Sequence, residues 1–266
     1  MQDRNFDDLC ERFRKRVYRD PKGEIRLRLL QQHLQETLGE AQAPWRILDA
    51  GCGLGQMALW LARQGHEVVL CDLSSRMLAQ ARAGFEAEGL AARASFHHRP
   101  LQALSAERLG RFDLVLCHAV LEWLAEPRAA LPHLAGLLAP EGRLSLMFYN
   151  RHAIVWRNVL LGNFRKVMSG RFAGAPGGLT PINPLDPQEV ETWLADSGLL
   201  LEARAGIRVF YDYLGRDLQA RRSLDDVLAL ERRHYTREPY WRLGRYVHFL
   251  CGLARNSGFT GMDRGR

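Results

Sequence analysis

The chain has 266 residues, 47% hydrophobic and 25% charged, proportions that exclude disordered and collagen-like chains and allow one large buried core. Its net charge of +7 is unevenly spread: residues 1–44 carry nine Lys or Arg against eight Asp or Glu, residues 45–150 ten against ten, and residues 151–266 eighteen against twelve. An excess confined to the last part is expected if that part faces a polyanion while the neutral block holds a small ligand; because 34 of the 37 basic residues are Arg, a compositional preference for Arg is the competing explanation.

In chain order, EIRLRLLQQHLQETLGE (24–40) reads as an amphipathic helix. WRILDAG (45–51), HEVVLCD (66–72), ARASFHH (92–98), FDLVLCH (112–118) and GRLSLMFYN (142–150) then read as five strands. Between them QMALWLARQG, SSRMLAQARAGFEAEG and AEPRAALPHLAGLLAP carry apolar residues at helical spacing and close at Gly65, Gly89 and the Pro140–Gly142 turn. This alternation predicts an α/β fold with a parallel sheet wrapped by helices. After it come a helix over 186–199 and two later strands, ARAGIRVFYDYL (203–214) and LGRYVHFLCG (243–252).

One stretch breaks the alternation. Residues 151–185 hold Arg151, Arg157, Arg165, Lys166 and Arg171 and no acidic residue, with Trp156, Phe164 and Phe172 among them and a Gly/Pro-rich end. It reads as a cap inserted after the fifth strand, near the sheet edge where open α/β folds bind ligands. The predicted organisation is a single domain over 1–255, with an N-terminal helical cap (1–44), a cofactor-binding core (45–150), the basic insertion (151–185) and a C-terminal helix and strands (186–255), followed by a loose tail (256–266).

Five cysteines (Cys10, Cys52, Cys71, Cys117, Cys251) stand far apart, with no C-x-x-C pair and no Cys/His cluster at zinc spacing. A reducing cytoplasm and no metal site are therefore expected. The opening MQDRNFDDLCERFRKR is too charged for a secretory leader, and no apolar run approaches the roughly 20 residues of a spanning helix, so no membrane association is expected.

The sharpest motif is Asp49-Ala-Gly51-Cys52-Gly53-Leu-Gly55, closing the first strand and opening the first sheet helix. Gly53-Leu-Gly55-Gln-Met-Ala58 formally satisfies the G-x-G-x-x-A pattern of a dinucleotide site. Charge separates the two readings: a pyrophosphate wants bare N–H groups and no acid at this turn, whereas S-adenosyl-L-methionine has no phosphate and carries a sulfonium and an ammonium that tolerate Asp49. Asp72, ending the second strand, is placed to accept from both ribose hydroxyls, or to cap the next helix, a role open to Ser74 as well. Leu101 and Gln102 fall where an adenine is held, or are a plain loop. His118 closes the fourth strand at the same edge, where a structural hydrogen bond is the alternative role. Arg26 reads as a solvated charge or as a partner for a methionine carboxylate.

The blocks MQDRNFDD, DAGCGLGQ, GHEVVLCDLS, HAVLEW, LSLMFYN, GNF, GIRVFYDYL and EPY-x-x-LGRYVH, in order from residue 1 to about 249, closely resemble the bacterial tRNA 5-carboxymethoxyuridine methyltransferases. That resemblance implies a Rossmann-like class I methyltransferase fold, with seven strands of which the last is antiparallel. It implies methyl esterification of the 5-carboxymethoxyuridine carboxylate at the wobble position of tRNA, in the cytoplasm. It also implies cofactor contacts at Arg26, Gly51, Cys52, Asp72, Leu101, Gln102 and His118, to which the motif itself adds Asp49 and Gly53.

A carboxylate of pKa about 4 is already ionised at neutral pH, so no catalytic base is expected; alignment and exclusion of water supply the rate. Tyr149, Asn150, Arg208 and Tyr211 are candidates for orienting that carboxylate, and Arg165, Lys166 and Arg171 for holding the anticodon loop, with the RRS, ERRHYTR and WRLGRY stretches as further sources of Arg and aromatic rings. No obligate protein partner is expected. The competing functions are a small-molecule O-methyltransferase of the same fold and a cofactor-retaining RNA-binding partner without turnover.

Overall fold

A computed structural model of the chain describes residues 3–13, 20–39, 41–174 and 178–254. The elements in order are α1 (Cys10–Phe13), α2 (Pro21–Leu38), β1 (Arg46–Ala50), α3 (Gln56–Arg63), β2 (Glu67–Asp72), α4 (Ser75–Ala87), β3 (Ala94–His98), α5 (Ala106–Leu109), β4 (Phe112–His118) and α6 (Pro127–Gly136). There follow β5 (Leu138–Tyr149), α7 (Arg151–Leu160), α8 (Phe164–Ser169), α9 (Pro187–Asp196), β6 (Leu199–Ile207), α10 (Arg216–Arg221), α11 (Leu224–His234) and β7 (Tyr246–Leu253).

The strands form one sheet in the order β3-β2-β1-β4-β5-β7-β6. β1 to β5 pair in parallel, and β7 runs antiparallel to both β5 and β6. From β1 the chain builds outward through β2 and β3, then returns to place β4 on the other side. The carboxyl ends of β1 and β4 thus flank the switch point where such sheets bind ligands.

Alternation along the strands divides the core in two. Leu48, Val115, Leu144, Leu146, Phe148, Val247 and Phe249 pack with α6 and α9 on one face; Ile47, Leu114, Leu116, Met147 and Leu250 pack with α2, α3, α4 and α11 on the other. Covering both faces is what lets the central strands be apolar on both sides.

Several boundaries depart from the sequence reading, each for a local reason. α2 starts at Pro21, because Asp20 accepts the Lys22 N–H (3.0 Å) as N-cap and proline suits the first turn. α6 stops at Gly136 and β5 begins at Leu138, which pairs with Phe112 ahead of a bulge. The predicted strand 203–214 is instead β6 at Leu199–Ile207, and the chain then turns at Arg208, whose φ is +64°. There the buried Glu231 carboxylate accepts the N–H groups of Val209 (2.6 Å), Phe210 (3.0 Å) and Tyr211 (2.9 Å), which bends the segment out of the sheet.

Glu231 lies on α11, a helix absent from the sequence reading. Ser223 caps it by accepting the Asp226 N–H, with Asp225 and Asp226 in its first turn and Arg232, Arg233 and His234 in its last, each complementing the helix dipole. The basic insertion holds α7 and α8, with residues 175–177 outside the described part, as is the predicted loose tail at 256–266. No described helix is long and apolar enough to cross a membrane.

Candidate cofactor pocket and its surroundings

The pocket begins with the glycine turn. Gly51 has a φ of +81°, and a Cβ there would overlap the Val120 side chain, so the close approach of the β1 and β4 termini requires glycine. Gly55 (φ +72°) opens α3, where a Cβ would lie 3.0 Å from both Ala81 and Leu70 side chains. The turn's backbone donors are already engaged: Gly51 and Cys52 donate to the Cys71 carbonyl (2.8 and 3.0 Å), Gly55 to that of Cys52 (2.9 Å), and Gly53 to Asp72 Oδ2 (2.8 Å).

A pyrophosphate would find few bare N–H groups here, and two acids beside them. Asp49 is buried, accepts from the Ala58 backbone at the start of α3, and is pushed up to about 7 by burial and then by Asp72. Asp72 accepts from Gly53 and, through Oδ1, from Ser74 (2.8 Å); burial raises its pKa, against these backbone donors. The helix cap is Ser74, whose Oγ accepts the Met77 N–H, so Asp72 is left for the pocket.

The opposite wall comes from the end of β4. His118 is followed by Ala119 at φ +57°, a left-handed residue other than glycine, and by the turn Leu121–Trp123. Glu122 in that turn is fully buried, neither side-chain oxygen has a hydrogen-bond partner among the described residues, and burial pushes its carboxyl up to about 8. Arg26, buried on α2, lies 5.7 Å from the centre of the Tyr246 ring.

Arg26, Asp49, Gly51, Cys52, Gly53, Asp72, Leu101, Gln102 and His118, scattered from residue 26 to 118, all line this one cavity. Leu179 and Pro181 reach it from the basic insertion, and Asp3, Arg4 and Phe6 from the N-terminal segment. That segment is strapped across three strand ends. Asp3 accepts from Gln102 Nε2 (2.9 Å) and the Ala125 N–H (2.8 Å), Arg4 N–H donates to Trp123, and Asp7 accepts from Ser74 (2.6 Å) and Arg76. Gln102 thus spends one amide hydrogen on the strap.

The residues read as orienting a substrate do not line the cavity but stand behind Tyr246. Arg208 lies 5.5 Å from the Tyr246 ring and forms a buried ion pair with Asp212 (2.7 Å), off-axis for a hydrogen bond. Tyr149 meets Tyr246 edge-on, and the Arg245 guanidinium lies 4.6 Å from the Tyr149 ring centre. Asn150 is buried and engaged: it caps α7 through His152 and donates to the Arg242 and Gly244 carbonyls. Tyr211 is buried beside the bend after β6.

Arg165, Lys166 and Arg171 are exposed on and after α8, as are Phe164 at the start of α8 and Trp156 on α7, which are 61% and 45% exposed. Phe172 differs from the reading, being buried against Tyr149 and Ile154. Tyr235 and Trp241, from the ERRHYTR and WRLGRY stretches, are core residues and unavailable for stacking.

Residues 47–142 match the model of the methyltransferase domain family. Over 93% of this chain and 95% of the relative, the sequence is 43% identical to the tRNA 5-carboxymethoxyuridine methyltransferase of Escherichia coli (strain K12). The chain belongs to the tRNA 5-carboxymethoxyuridine methyltransferase family. It is also 31% identical, over 61% of its length and 65% of the relative, to the ubiquinone biosynthesis O-methyltransferase of Xanthomonas axonopodis pv. citri (strain 306). Among solved structures, the fold resembles magnesium protoporphyrin IX methyltransferase from Synechocystis PCC 6803 with bound SAH: TM-score 0.60, 18% identity, 92% of this chain and 94% of that one.

Sequence reasoning missed the pocket residues Asp3, Phe6, Glu122 and Tyr246. The MQDRNFDD, HAVLEW and LGRYVH blocks, already quoted for the family resemblance, are the signals that could have pointed to them.

Proposed function

We propose that the protein uses S-adenosyl-L-methionine to methyl-esterify the carboxylate of 5-carboxymethoxyuridine at the wobble position (U34) of the tRNA anticodon, giving 5-methoxycarbonylmethoxyuridine. The observation that carries this reading is the match to the Escherichia coli enzyme, which extends over nearly the whole of both chains and so includes the regions outside the cofactor core.

The pocket fits the cofactor. Two backbone-anchored acids, a glycine turn with its donors already spent, and the buried unpartnered Glu122 and His118 Nδ1 suit a nucleoside bearing positive charge. When bound, that cofactor supplies a methyl group on a positively charged sulfur. Asp72 would take the ribose hydroxyls, Leu101 would pack on the adenine, and Arg26 would meet the methionine carboxylate. The chain's part in the reaction is alignment and dryness, since the substrate oxygen is already an anion. Holding that carboxylate must be moderate, because its charge disappears as the ester forms. Arg208, committed to Asp212, and Tyr149, at the back of Tyr246, act in this reading through the ring they contact.

The tRNA is read as lying on the insertion. α7 and α8 join exposed Trp156 and Phe164 to Arg165, Lys166 and Arg171, the pairing of ring and cation that captures a splayed base and its phosphates. Residues 151–185 would then be the RNA-facing cap, within a single cytoplasmic methyltransferase domain over 1–255.

Incubation with methyl-labelled cofactor and bulk tRNA from a strain lacking the enzyme tests the reading. Base-labile label in the tRNA is the expected result. Label that enters small molecules alone would favour an O-methyltransferase, and cofactor binding without transfer a non-catalytic partner.

A further inference from the structure

A line of polar side chains crosses the core behind the pocket and is left unused by methyl transfer. His33 on α2, Ser145 on β5 and His248 on β7 are buried, at no more than 2% exposure. His33 Nδ1 lies 2.7 Å from His248 Nδ1, His248 Nε2 lies 2.8 Å from Ser145 Oγ, and Ser145 Oγ lies 2.7 Å from His118 Nε2. The line ends at His118 Nδ1, which is buried, belongs to a pocket-lining residue and has no hydrogen-bond partner among the described residues. Strand alternation explains how four elements meet: His118, Ser145 and His248 share the face on which α2 packs.

Each link holds one proton, and with the Ser145 hydroxyl donating along the line there are two arrangements. In one, His33 donates to His248, His248 to Ser145 and Ser145 to His118, leaving an N–H on His118 Nδ1 in the pocket. In the other every proton points the opposite way, and His118 Nδ1 is a bare lone pair. The charges at the two ends choose between them. Arg26 lines the same cavity as His118 and its charge disfavours positive charge on that ring, while Glu36, which accepts from Tyr235 beside His33, favours it on His33. The second arrangement moves the protons away from the Arg26 end of the line and toward the Glu36 end: His118 Nε2–H donates to Ser145, Ser145 O–H to His248 Nε2, and His248 Nδ1–H to His33 Nδ1. All three rings are neutral, since burial holds His118 down to about 3, His33 to about 4 and His248 well below its ordinary value.

We propose that Ser145, His248 and His33 are positioning residues that lock His118 with its Nδ1 lone pair facing the cationic part, ammonium or sulfonium, of the bound cofactor. This rests on the cofactor reading above and concerns the residues behind His118. A buried polar line of this kind is costly unless fully satisfied, and the atom of it left without a partner among the described residues, His118 Nδ1, belongs to a residue that lines the cavity.

Long-range proton–nitrogen correlation spectra of the histidine-labelled full chain test it without any substitution: His118 is expected to show a bare Nδ1 and a protonated Nε2 at neutral pH. In Ser145→Ala the His118 signal is expected to become a mixture of tautomers and the calorimetric Kd for S-adenosyl-L-methionine to rise about tenfold. Ser145→Thr, which keeps the hydroxyl, is expected to restore both. A protonated Nδ1 in the wild-type protein overturns the proposal, as does a Ser145→Ala protein with unchanged tautomer and affinity. Absence of any S-adenosyl-L-methionine uptake by the wild-type chain overturns the cofactor reading itself, an outcome separable from the tautomer result, which the ligand-free protein reports alone.

Discussion

The cofactor pocket and the α7–α8 surface use polar groups in opposite ways. In the pocket, Asp49, Asp72, Glu122 and His118 are removed from water, the two aspartates held by backbone N–H groups and His118 by the Ser145 hydroxyl, so each is individually consequential. On α8 the cations stand in solvent, where any one is screened and only their sum has reach. Substitutions in the first region should therefore act singly and steeply, and those in the second collectively and with salt dependence.

The largest effect is expected at Gly51. Gly51→Ala must hold a Cβ at φ +81° and displace Val120; at ~3 kcal/mol for strain and overlap, S-adenosylhomocysteine affinity should fall about 100-fold by calorimetry. Retained affinity would mean that the β1–β4 approach is looser than described. Asp72→Asn comes next. It sets an amide hydrogen pair against the Gly53 or Ser74 donor and removes the charge, which should weaken the same binding about 10- to 100-fold.

On the other surface, alanine at Arg165, Lys166 and Arg171 together should weaken tRNA binding and flatten its log–log salt slope by about 2, while cofactor affinity stays put. Each single substitution should do far less. Unchanged tRNA binding by the triple variant would remove the insertion from the RNA site.

The smallest effect concerns stability. Asp49 titrates near 7 when folded and near 4 when unfolded, so the folded state retains a proton that the unfolded chain releases in between, and stability falls as pH rises through that window. An amide in its place has nothing to ionise. Asp49→Asn should therefore melt a few degrees above the wild type at about pH 8, and the gap should close toward pH 4, as thermal melts across pH would read. A gap independent of pH would show that the carboxyl is not held protonated by its burial.

What could be read from the sequence follows the same division. The five parallel strands and the glycine turn announce themselves because strand alternation and left-handed turns are local rules, and all nine residues assigned to the cofactor line one cavity. The bend after β6 depends on Glu231, some twenty residues further along, accepting three N–H groups, a long-range bond that no local pattern encodes. α11 was legible in Ser223, its acidic first turn and its basic last turn, yet its arginines read more readily as an RNA surface. Asn150 looked like a substrate ligand because its three backbone partners lie on segments as distant as residue 244. The strap of Asp3 to Asp7 and the buried Glu122 likewise gain their meaning only when strand ends converge.

The most direct test of the account is transfer of labelled methyl from S-adenosyl-L-methionine to tRNA isolated from cells lacking the enzyme, followed by mild base. The account predicts label in the tRNA that base releases. Label that resists base, or none in tRNA while the protein binds the cofactor, would contradict it.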